Sequence, residues 1–242
     1  MDLSIIIPAF NEASKIGRDV EAAAEFLAES GFHGEVIVVD DGSSDGTSQA
    51  AAAAPIPPAV GRRVLRLEKN SGKGASVRHG VLHSRGRVVL YADSGTCIPF
   101  SNALPAIQKI KAGDLDLALA SRRLKEAVIR RKQPLGRRMI GRLFHRAAIL
   151  IAGLPPWITD SQCGFKVYEG AIARELYSGL RTPGFLFELE IILKALKRGL
   201  RAEEFPVEWT CDLDTRLQPS RQARTIVREF LQVRDAAKEK KP

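Results

Sequence analysis

Acidic and small residues follow the apolar runs in the first hundred residues of the chain, and the segment 88–96 is the most informative of these places. The apolar residues 88–90 lead through Tyr91 to a single acid, Asp93, and then to three small, turn-prone residues. An acid directly after a buried strand often binds Mg²⁺ or Mn²⁺, because these cations prefer oxygen ligands. Such sites usually have more than one carboxylate, so the segment is a metal site, a damaged metal site or a simple loop.

Three further apolar runs end in polar side chains. Glu12 follows the first run, Asp40 and Asp41 follow the second, and Asn70 follows the third. Ligands of open α/β sheets bind outside the carboxyl ends of the strands, so we expect these side chains to lie together. Asp41 and Asp45 could instead build the glycine turn and cap the next helix, and for Asp45 this is the favoured interpretation.

The segment NSGKGAS (70–76) is a glycine turn with a cation, Lys73, at the start of a helix. It lacks the spacing of a nucleotide P-loop, since Gly74 and Ala75 follow the lysine in place of Ser or Thr. The lysine could lie beside a phosphate, and a tight turn with a solvated lysine explains it equally well. No G-x-G-x-x-G pattern follows the first apolar run, so a Rossmann dinucleotide site is not expected.

The elements that must position these residues alternate between strand and helix. Apolar runs rich in Val and Ile indicate buried strands, and the segments between them have apolar residues at helical spacing. This alternation predicts an α/β fold with a mostly parallel sheet flanked by helices. We expect strands over 3–8, 35–40, 62–70, 87–93, 115–123 and 201–210, a short strand followed by a helix within 163–180, and basic helices over 134–153 and 219–240. The predicted organisation is one catalytic domain over 1–212 and a basic amphipathic extension over 213–242.

The charge balance points to an anionic partner. The 242 residues have a formal net charge of +9, and the excess lies in two clusters, 122–146 and 216–241. Nucleic acid, phospholipid headgroups and phosphorylated substrates are the partner classes that such a charge favours. No run approaches the roughly 18 apolar residues of a membrane span, and no signal-peptide pattern opens the chain, so we expect a cytoplasmic location.

The ordered motifs resemble a known family. IIIPAFNE (5–12), VVDDGSSDGT (38–47), NSGKGAS and YADSGT (91–96) are similar to the strand ends of the GT-A fold glycosyltransferases of family 2. ASRR (120–123), TDSQCGFKVY (159–168), FLFELEIILKALKRG (185–199) and EEFPVEW (203–209) look like those of the polyprenyl-phosphate glycosyltransferases, which include dolichyl-phosphate glucose and mannose synthases. The resemblance implies metal-assisted, inverting transfer of a hexose from UDP-glucose or GDP-mannose to a polyprenyl phosphate. The pattern CGFK leans toward glucose.

The resemblance places the nucleotide sugar at the strand ends. Asp40 and Asp41 would accept hydrogen bonds from base or ribose groups, which suits carboxylates. Arg216 would touch the donor diphosphate. The full set of expected donor contacts is Pro8, Phe10, Glu12, Val38, Asp40, Asp41, Lys73, Tyr91, Ala92, Asp93, Gln162 and Arg216.

The resemblance also implies a cation, Mg²⁺ or Mn²⁺, at Asp93. The family has Asp-x-Asp where this chain has Tyr91-Ala92-Asp93, so the second acid, the metal ligand, is kept and the first is a phenol. Gly95 supplies no side-chain ligand where some relatives have a glutamine. Tyr91 either retunes the site or silences it, and a catalytically silent nucleotide-binding scaffold is therefore one alternative function. A glycosyltransferase with a different acceptor is another.

The acceptor explains the first basic cluster. A polyprenyl phosphate is itself a nucleophilic anion, so the reaction needs cationic positioning and no strong general base. The resemblance implies that Arg122 and an arginine early in the next helix hold the phosphate, with Arg138 favoured and Arg137 as its rival. The expected catalytic residues are Asp93, Arg122, Arg138, Lys166 and Glu188.

Two helices could meet a membrane. The helix over 219–240 is basic with an apolar face, and lying on an anionic bilayer or packing on the domain are equally good interpretations. The segment RLFHRAAILIAGL (142–154) is the second candidate, so we expect a peripheral protein at the cytoplasmic face of a membrane. Nucleic-acid binding is the weakest alternative and no nucleic acid is expected as a partner, because the strand-end acids would repel phosphate.

Overall fold

The computed structural model describes residues 1–212 and 228–234. Its strands are β1 (Leu3–Ala9), β2 (Gly34–Asp40), β3 (Gly61–Arg66), β4 (Val88–Ala92), β5 (Leu117–Ser121), β6 (Val128–Arg131), β7 (Phe165–Glu169), β8 (Ala202–Pro206) and β9 (Glu208–Thr210). Its helices are α1 (Ile16–Glu29), α2 (Thr47–Ala53), α3 (Lys73–His83), α4 (Leu104–Lys111), α5 (Leu135–Ala152), α6 (Gly170–Ser178) and α7 (Phe187–Lys197), with a 3₁₀ turn at Phe100–Ala103. The predicted α/β fold with a mostly parallel sheet flanked by helices is confirmed.

The central sheet has seven strands in the order β3-β2-β1-β4-β7-β5-β8 and a hydrophobic core on each face. Successive side chains of a strand point to opposite faces. Ile5 and Ile7 therefore pack in the core on one face with α1 and α4, while Ile6 packs in the core on the other face with α3 and α7. Each fully buried isoleucine contributes about 1.5–3 kcal/mol. Burial on both faces explains the unbroken apolar runs of the sequence.

Strand β7 is the exception to the parallel arrangement, since it runs antiparallel to both β4 and β5. After β5 the chain forms β6, α5 and the loop 153–164, and this loop lies at the carboxyl edge of the sheet. It therefore enters β7 from that edge, with Phe165 beside Ala92 at the end of β4. The reversed strand places the loop before Phe165 directly against the predicted site.

The strand predicted over 201–210 is two strands in two sheets. β8 pairs parallel with β5, whereas β9 pairs with β6 in a separate two-stranded sheet. Pro206 has no N–H group to continue the ladder, and the carbonyl of Val207 accepts a 3.0 Å hydrogen bond from Val128. The prediction of one continuous strand was wrong for this reason, and β6 was not predicted.

Residues 228–234 form a helical segment, which we call the C-terminal segment. Its Phe230 and Val233 are buried, and the Phe230 ring lies 5.0 Å from the Phe144 ring of α5. This described part of the basic helix predicted over 219–240 packs on the domain, which is one of the two interpretations left open by the sequence. Arg216 lies outside the described residues.

Candidate active site

The polar residues after four strands meet at the carboxyl edge of the sheet, around a cavity of about 670 Å³ that we call the first cavity. The convergence expected from the sequence is therefore found. Among the expected site residues, those that line this cavity are Pro8, Phe10, Glu12, Asp41, Lys73, Ala92, Asp93, Arg122, Gln162 and Glu188.

Asp93 is held from two sides. The Tyr91 hydroxyl donates a 2.5 Å hydrogen bond to Oδ1 of Asp93, and Lys73 Nζ lies 2.8 Å from the same oxygen and 2.9 Å from Oδ2. Tyr91 is fully buried, and burial together with the charge of Asp93 raises the pKa of its hydroxyl well above the usual range. A hydroxyl that keeps its proton is a donor. Tyr91 therefore contacts Asp93 from below and does not line the cavity.

Lys73 keeps its charge in a nearly enclosed position. Burial works against the ammonium form, but the neighbouring Asp93 and Glu188 raise the pKa of Lys73 above its ordinary value. Its Nζ also lies 5.6 Å from the centre of the Tyr91 ring. The lysine of the glycine turn is thus a fixed cation that lines the cavity, and it is not the freely solvated lysine of the alternative interpretation.

Glycine makes room for the carboxylates. A Cβ at Gly164 would lie 2.0 Å from Oδ2 of Asp93, and the Asp93 amide donates a 2.8 Å hydrogen bond to the Gly164 carbonyl. A Cβ at Gly95 would lie 2.9 Å from Oδ2 of Asp212. Asp212 also lines the first cavity, and Lys15 Nζ lies 2.8 Å from it. A second carboxylate thus occupies the space where a side chain at position 95 would be.

The donor set around Asp93 fits a cation that takes few ligands from the protein. In the ranges 1–212 and 228–234 no cluster of three or more acidic, histidine or cysteine side chains is arranged to hold a metal. The Asp93 side chain is 38% exposed toward the cavity, so an oxygen is accessible. Mg²⁺ typically binds through one or two carboxylates, with water and substrate phosphates as its other ligands. Asp93, with Asp212 nearby, meets that requirement.

Asp19 fixes the loop after Asp93 and was not found from the sequence. Both of its carboxylate oxygens accept hydrogen bonds from the Gly95 amide, at 3.0 and 2.9 Å. The loop needs such support because Gly95 and Thr96 both have positive φ angles, 99° and 46°. Burial raises the pKa of Asp19. The sequence did contain a signal for this role, namely an acid among the apolar residues of α1.

The two acids after β2 have different surroundings. Asp41 lines the cavity and accepts hydrogen bonds from the amides of Ser71 and Gly72, at 2.7 and 2.9 Å, which ties the glycine turn to β2. Asp40 is fully buried and accepts from the amide of Ser43 at 2.8 Å and from Arg66 at 3.0 Å. The structure therefore corrects the expectation that Asp40 contacts the donor. Its oxygens accept hydrogen bonds from within the protein, and the residue does not line the cavity.

Val38 is likewise fully buried in the core, where a β-strand side chain that points into the sheet face cannot reach the cavity. Asp45 accepts hydrogen bonds from the amides of Ala13 and Thr47, both at 3.2 Å, as an acid that builds the turn before α2.

Lys166 and Glu188 form a buried ion pair beneath the cavity. Lys166 is fully buried and donates to Oε1 of Glu188 at 3.0 Å and to the Cys163 carbonyl at 2.6 Å. Glu188 is 2% exposed and lines the cavity, whereas Lys166 does not. The structure therefore corrects the expectation that Lys166 acts on a substrate directly. Its ammonium donates hydrogen bonds to Glu188 and to the Cys163 carbonyl, below the cavity wall.

Arg122 is held by Asp160 in a bidentate pair. Its Nε and Nη2 lie 2.7 and 2.8 Å from the two Asp160 oxygens, and the guanidinium lies 5.3 Å from the Trp209 ring centre. Burial alone would raise the pKa of Asp160, but Arg122 holds it below the usual value. The expected phosphate-binding arginine is thus fixed in orientation, with part of its guanidinium left to face the cavity.

A second cavity, of about 610 Å³, adjoins the first. Six residues line both: Arg122, Gln133, Arg137, Gln162, Phe185 and Trp209. Arg138 lines only the second cavity, so its rival Arg137 is the one that lies at the junction. Nε2 of Gln162 is buried without a hydrogen-bond partner among the described residues, and is therefore available to a ligand there.

Helix α5 exposes an apolar stripe beside the second cavity. Leu135, Met139, Leu143 and Leu150 are between 68% and 84% exposed, and their spacing places them along one side of the helix. The arginines that flank this stripe, Arg138, Arg142 and Arg146, are exposed as well. No helix in the described part of the chain is long and apolar enough to cross a membrane.

Comparison with known sequences gives consistent matches. The profile described as Glycosyl transferase family 2 matches residues 4–176. The dolichyl-phosphate beta-glucosyltransferase of Saccharomyces cerevisiae is 34% identical over 225 residues, which cover 86% of this chain and 66% of the yeast protein. The human protein of the same name is 31% identical over 225 residues, which cover 86% of this chain and 67% of the human protein. The chain spans about two thirds of the length of these relatives.

Solved structures show the same fold. Glucosyl-3-phosphoglycerate synthase from Mycobacterium tuberculosis, in complex with Mn²⁺, UDP-glucose and phosphoglyceric acid, matches with a TM-score of 0.69 and 20% identity over 99% of this chain and 81% of that chain. The same enzyme with Mg²⁺ and UDP matches with a TM-score of 0.67 and 19% identity, over 98% and 79%. At this identity the likeness shows the fold alone, and the predicted GT-A fold is confirmed.

Proposed function

Because this chain belongs to glycosyl transferase family 2, we propose that it transfers glucose from UDP-glucose to a polyprenyl phosphate of the dolichyl type. The names of the yeast and human relatives support this acceptor and this sugar. Those names and the pattern CGFK at 163–166 support glucose over mannose, and we propose UDP as the nucleotide of the donor.

The observation that carries the proposal is the pair of adjoining cavities. The first has the strand-end acids and Lys73, which suit a nucleotide diphosphate and its sugar. The second is lined by Arg123, Lys132, Arg138 and Arg142, which suit a phosphate monoester. The two meet at Arg122, Arg137 and Gln162, so a donor in the first cavity and an acceptor phosphate in the second would have their reacting atoms at this junction.

The proposed reaction is a single in-line displacement. A phosphate oxygen of the acceptor forms a bond to the anomeric carbon while the bond from that carbon to the UDP oxygen breaks, so the configuration inverts and UDP leaves. The acceptor oxygen is already anionic near neutral pH, and no side chain needs to remove a proton. Arg122 and Arg137 hold the acceptor phosphate, and Lys73 offers a cation to the leaving diphosphate. Mg²⁺ or Mn²⁺ held by Asp93 would neutralise further charge on that diphosphate.

We also propose that the protein is peripheral, with the apolar stripe of α5 in contact with an anionic bilayer. A lipid acceptor must enter the second cavity from a membrane, and the stripe lies beside that cavity. Exposed leucine and methionine side chains can insert among the lipids, while the flanking arginines attract anionic headgroups. The catalytic unit is proposed to be 1–212 together with the C-terminal extension 213–242.

A thermal-shift screen of UDP- and GDP-sugars, each with Mg²⁺, Mn²⁺ or chelator, tests the donor half of the proposal. UDP-glucose with a divalent cation is expected to raise the melting temperature most, because a ligand that binds only the folded state stabilises it, and a tighter ligand stabilises it more. Stabilisation by no donor under any condition contradicts the assignment. Stabilisation by UDP-glucose without any transfer to lipid favours the silent scaffold.

A further inference from the structure

The loop 180–186 between α6 and α7 forms a wall common to both cavities. Gly184 and Phe185 line the first cavity, and Phe185 and Leu186 line the second. The loop also leads directly into α7, whose first turn contains Glu188 of the first cavity. A displacement of this loop would therefore change the shape of both cavities together.

The same loop holds the start of α3. The Gly74 amide donates a 3.2 Å hydrogen bond to the Gly184 carbonyl, and the Ala75 amide donates a 3.0 Å hydrogen bond to the Pro183 carbonyl. The packing leaves no room for adjustment, since a Cβ at Gly72 would lie 2.5 Å from the Pro183 oxygen. Lys73 lies between these contacts, so the position of its ammonium depends on the loop.

Glu229 of the C-terminal segment binds the loop from behind. It is 3% exposed, its Oε2 accepts a 3.2 Å hydrogen bond from the Leu186 amide, and the nearby amides of Gly184 and Phe185 stabilise its charged form. These N–H groups precede α7 and have no partner within the helix, and a carboxylate there also interacts favourably with the helix dipole. Gly184 is required for the approach, because a Cβ would lie 1.9 Å from Oε1 of Glu229.

The C-terminal segment is anchored apart from this carboxylate. Phe230 contacts Phe144 of α5, and Val233 is 1% exposed in the core. Helix α5 supplies Arg137, Arg138 and Arg142 of the second cavity. The segment thus joins α5 on one side to the loop 180–186 on the other, and Glu229 is its one buried acid among residues 228–234.

We infer that Glu229 is a positioning residue for both substrate cavities, and that the C-terminal segment is a working part of the catalytic unit. Glu229 touches neither substrate. It fixes the loop 180–186, and through that loop it fixes Lys73 at the donor diphosphate and Phe185 at the junction. The inference rests on the proposed function for what the cavities bind, and on geometry alone for the coupling between Glu229 and the segment 72–76.

The test compares Glu229→Ala, Glu229→Gln and the control Gln232→Ala, which alters an exposed residue of the same segment. The first measurement is amide hydrogen exchange in the full chain. Glu229→Ala is expected to speed exchange at 183–187 and also at 72–76, where Glu229 makes no direct contact. Glu229→Gln keeps one acceptor oxygen and should lie between wild type and Ala. Gln232→Ala should leave both segments unchanged.

The second measurement separates positioning from simple destabilisation. At a temperature where circular dichroism shows all variants folded, Glu229→Ala is expected to weaken UDP-glucose binding and to lower kcat/KM for transfer about tenfold, since small displacements near the reacting groups cost this much or more. Glu229→Gln should recover most of that loss. A lowered melting temperature with unchanged binding and unchanged kinetics would mean that Glu229 has a structural role only.

Unchanged exchange at 72–76 in Glu229→Ala overturns the inference whatever the enzyme does. A wild-type chain that transfers no glucose sinks the proposed function instead, and the exchange result still decides whether Glu229 positions the start of α3.

Discussion

The two cavities meet at Arg122 but differ in whether their charged side chains have partners of opposite charge. At the first cavity and at the junction the charges are paired: Lys73 with Asp93 and Lys166 with Glu188 at the first cavity, and Arg122 at the junction with Asp160 of the second cavity, at 2.7 to 3.0 Å. Around the second, Arg138, Arg142 and Arg146 are exposed and have no acidic partner among the described residues. Paired buried charges hold a fixed geometry, whereas unpaired exposed cations remain available to an anionic ligand that must come and go. Four predictions test this contrast.

The largest effect is expected for Asp93→Ala. It removes the carboxylate that Tyr91 and Lys73 hold at the centre of the paired region, and with it the proposed cation ligand. Transfer should fall by about 10²–10³-fold, as when a preorganised electrostatic group is removed from a reacting centre. Steady-state rates with and without Mn²⁺ measure the loss, and Asp45→Ala serves as a control outside the cavity. Parent-like rates with unchanged metal dependence would show that Asp93 is not the anchor.

The second prediction compares how substitutions of a paired and of an unpaired arginine change the free energy of unfolding. Arg122→Met leaves the Asp160 carboxylate, 2% exposed, without its cation, and breaking such a buried pair typically costs about 3 kcal/mol or more. Arg138→Met removes an exposed, unpaired cation and should change the free energy of unfolding by less than about 0.5 kcal/mol. Urea denaturation of both variants makes the comparison. Equal losses of unfolding free energy in the two variants would contradict the contrast between paired and unpaired cations.

The double variant Arg138→Gln, Arg142→Gln addresses the unpaired region alone. We expect KM for a polyprenyl phosphate to rise about tenfold, with little change in kcat or in donor binding, because cations at the rim mainly attract the anionic partner. The salt dependence of KM should weaken at the same time. A fall in kcat with KM unchanged would instead place these arginines at the chemical step.

The smallest effect concerns the apolar stripe beside the second cavity. Leu143→Glu should reduce binding to anionic vesicles about fivefold, because one leucine no longer inserts and an acid faces the headgroups. Leu82→Glu on α3, where the leucine is 37% exposed, is the matched control and should bind as the parent does. Cosedimentation with vesicles measures both. Equal loss in the control would mean that the stripe has no special role.

The sequence predicted the residues of the first cavity better than it predicted the residues that hold them in place. Alternating strands and helices were enough to bring Glu12, Asp41 and Asp93 to one edge, because parallel strands end together. Tyr91 and Asp93 are two residues apart in the predicted strand 87–93, which also places them on one face. Whether the phenol would face the cavity or the carboxylate could not be read from that spacing.

The residues that hold the site in place were not predicted, because they reach it only through tertiary contacts. Asp160 is 38 residues from Arg122, and Glu229 is 43 residues from Leu186, so no local pattern links either pair. The reversed direction of β7 has the same origin, since it depends on where the chain lies after α5. In both cases the partner is chosen by the assembled fold and not by neighbouring residues.

The most direct test of the account is transfer itself. The purified chain is incubated with UDP-glucose carrying radiolabelled glucose, a dolichyl phosphate in anionic vesicles and Mg²⁺ or Mn²⁺, and the lipid phase is counted, with labelled GDP-mannose as the parallel donor. The account predicts labelled glucosyl lipid from UDP-glucose, far less from GDP-mannose, and almost none from Asp93→Ala. Tight UDP-glucose binding with no labelled lipid under any of these conditions would contradict it and leave a nucleotide-binding scaffold.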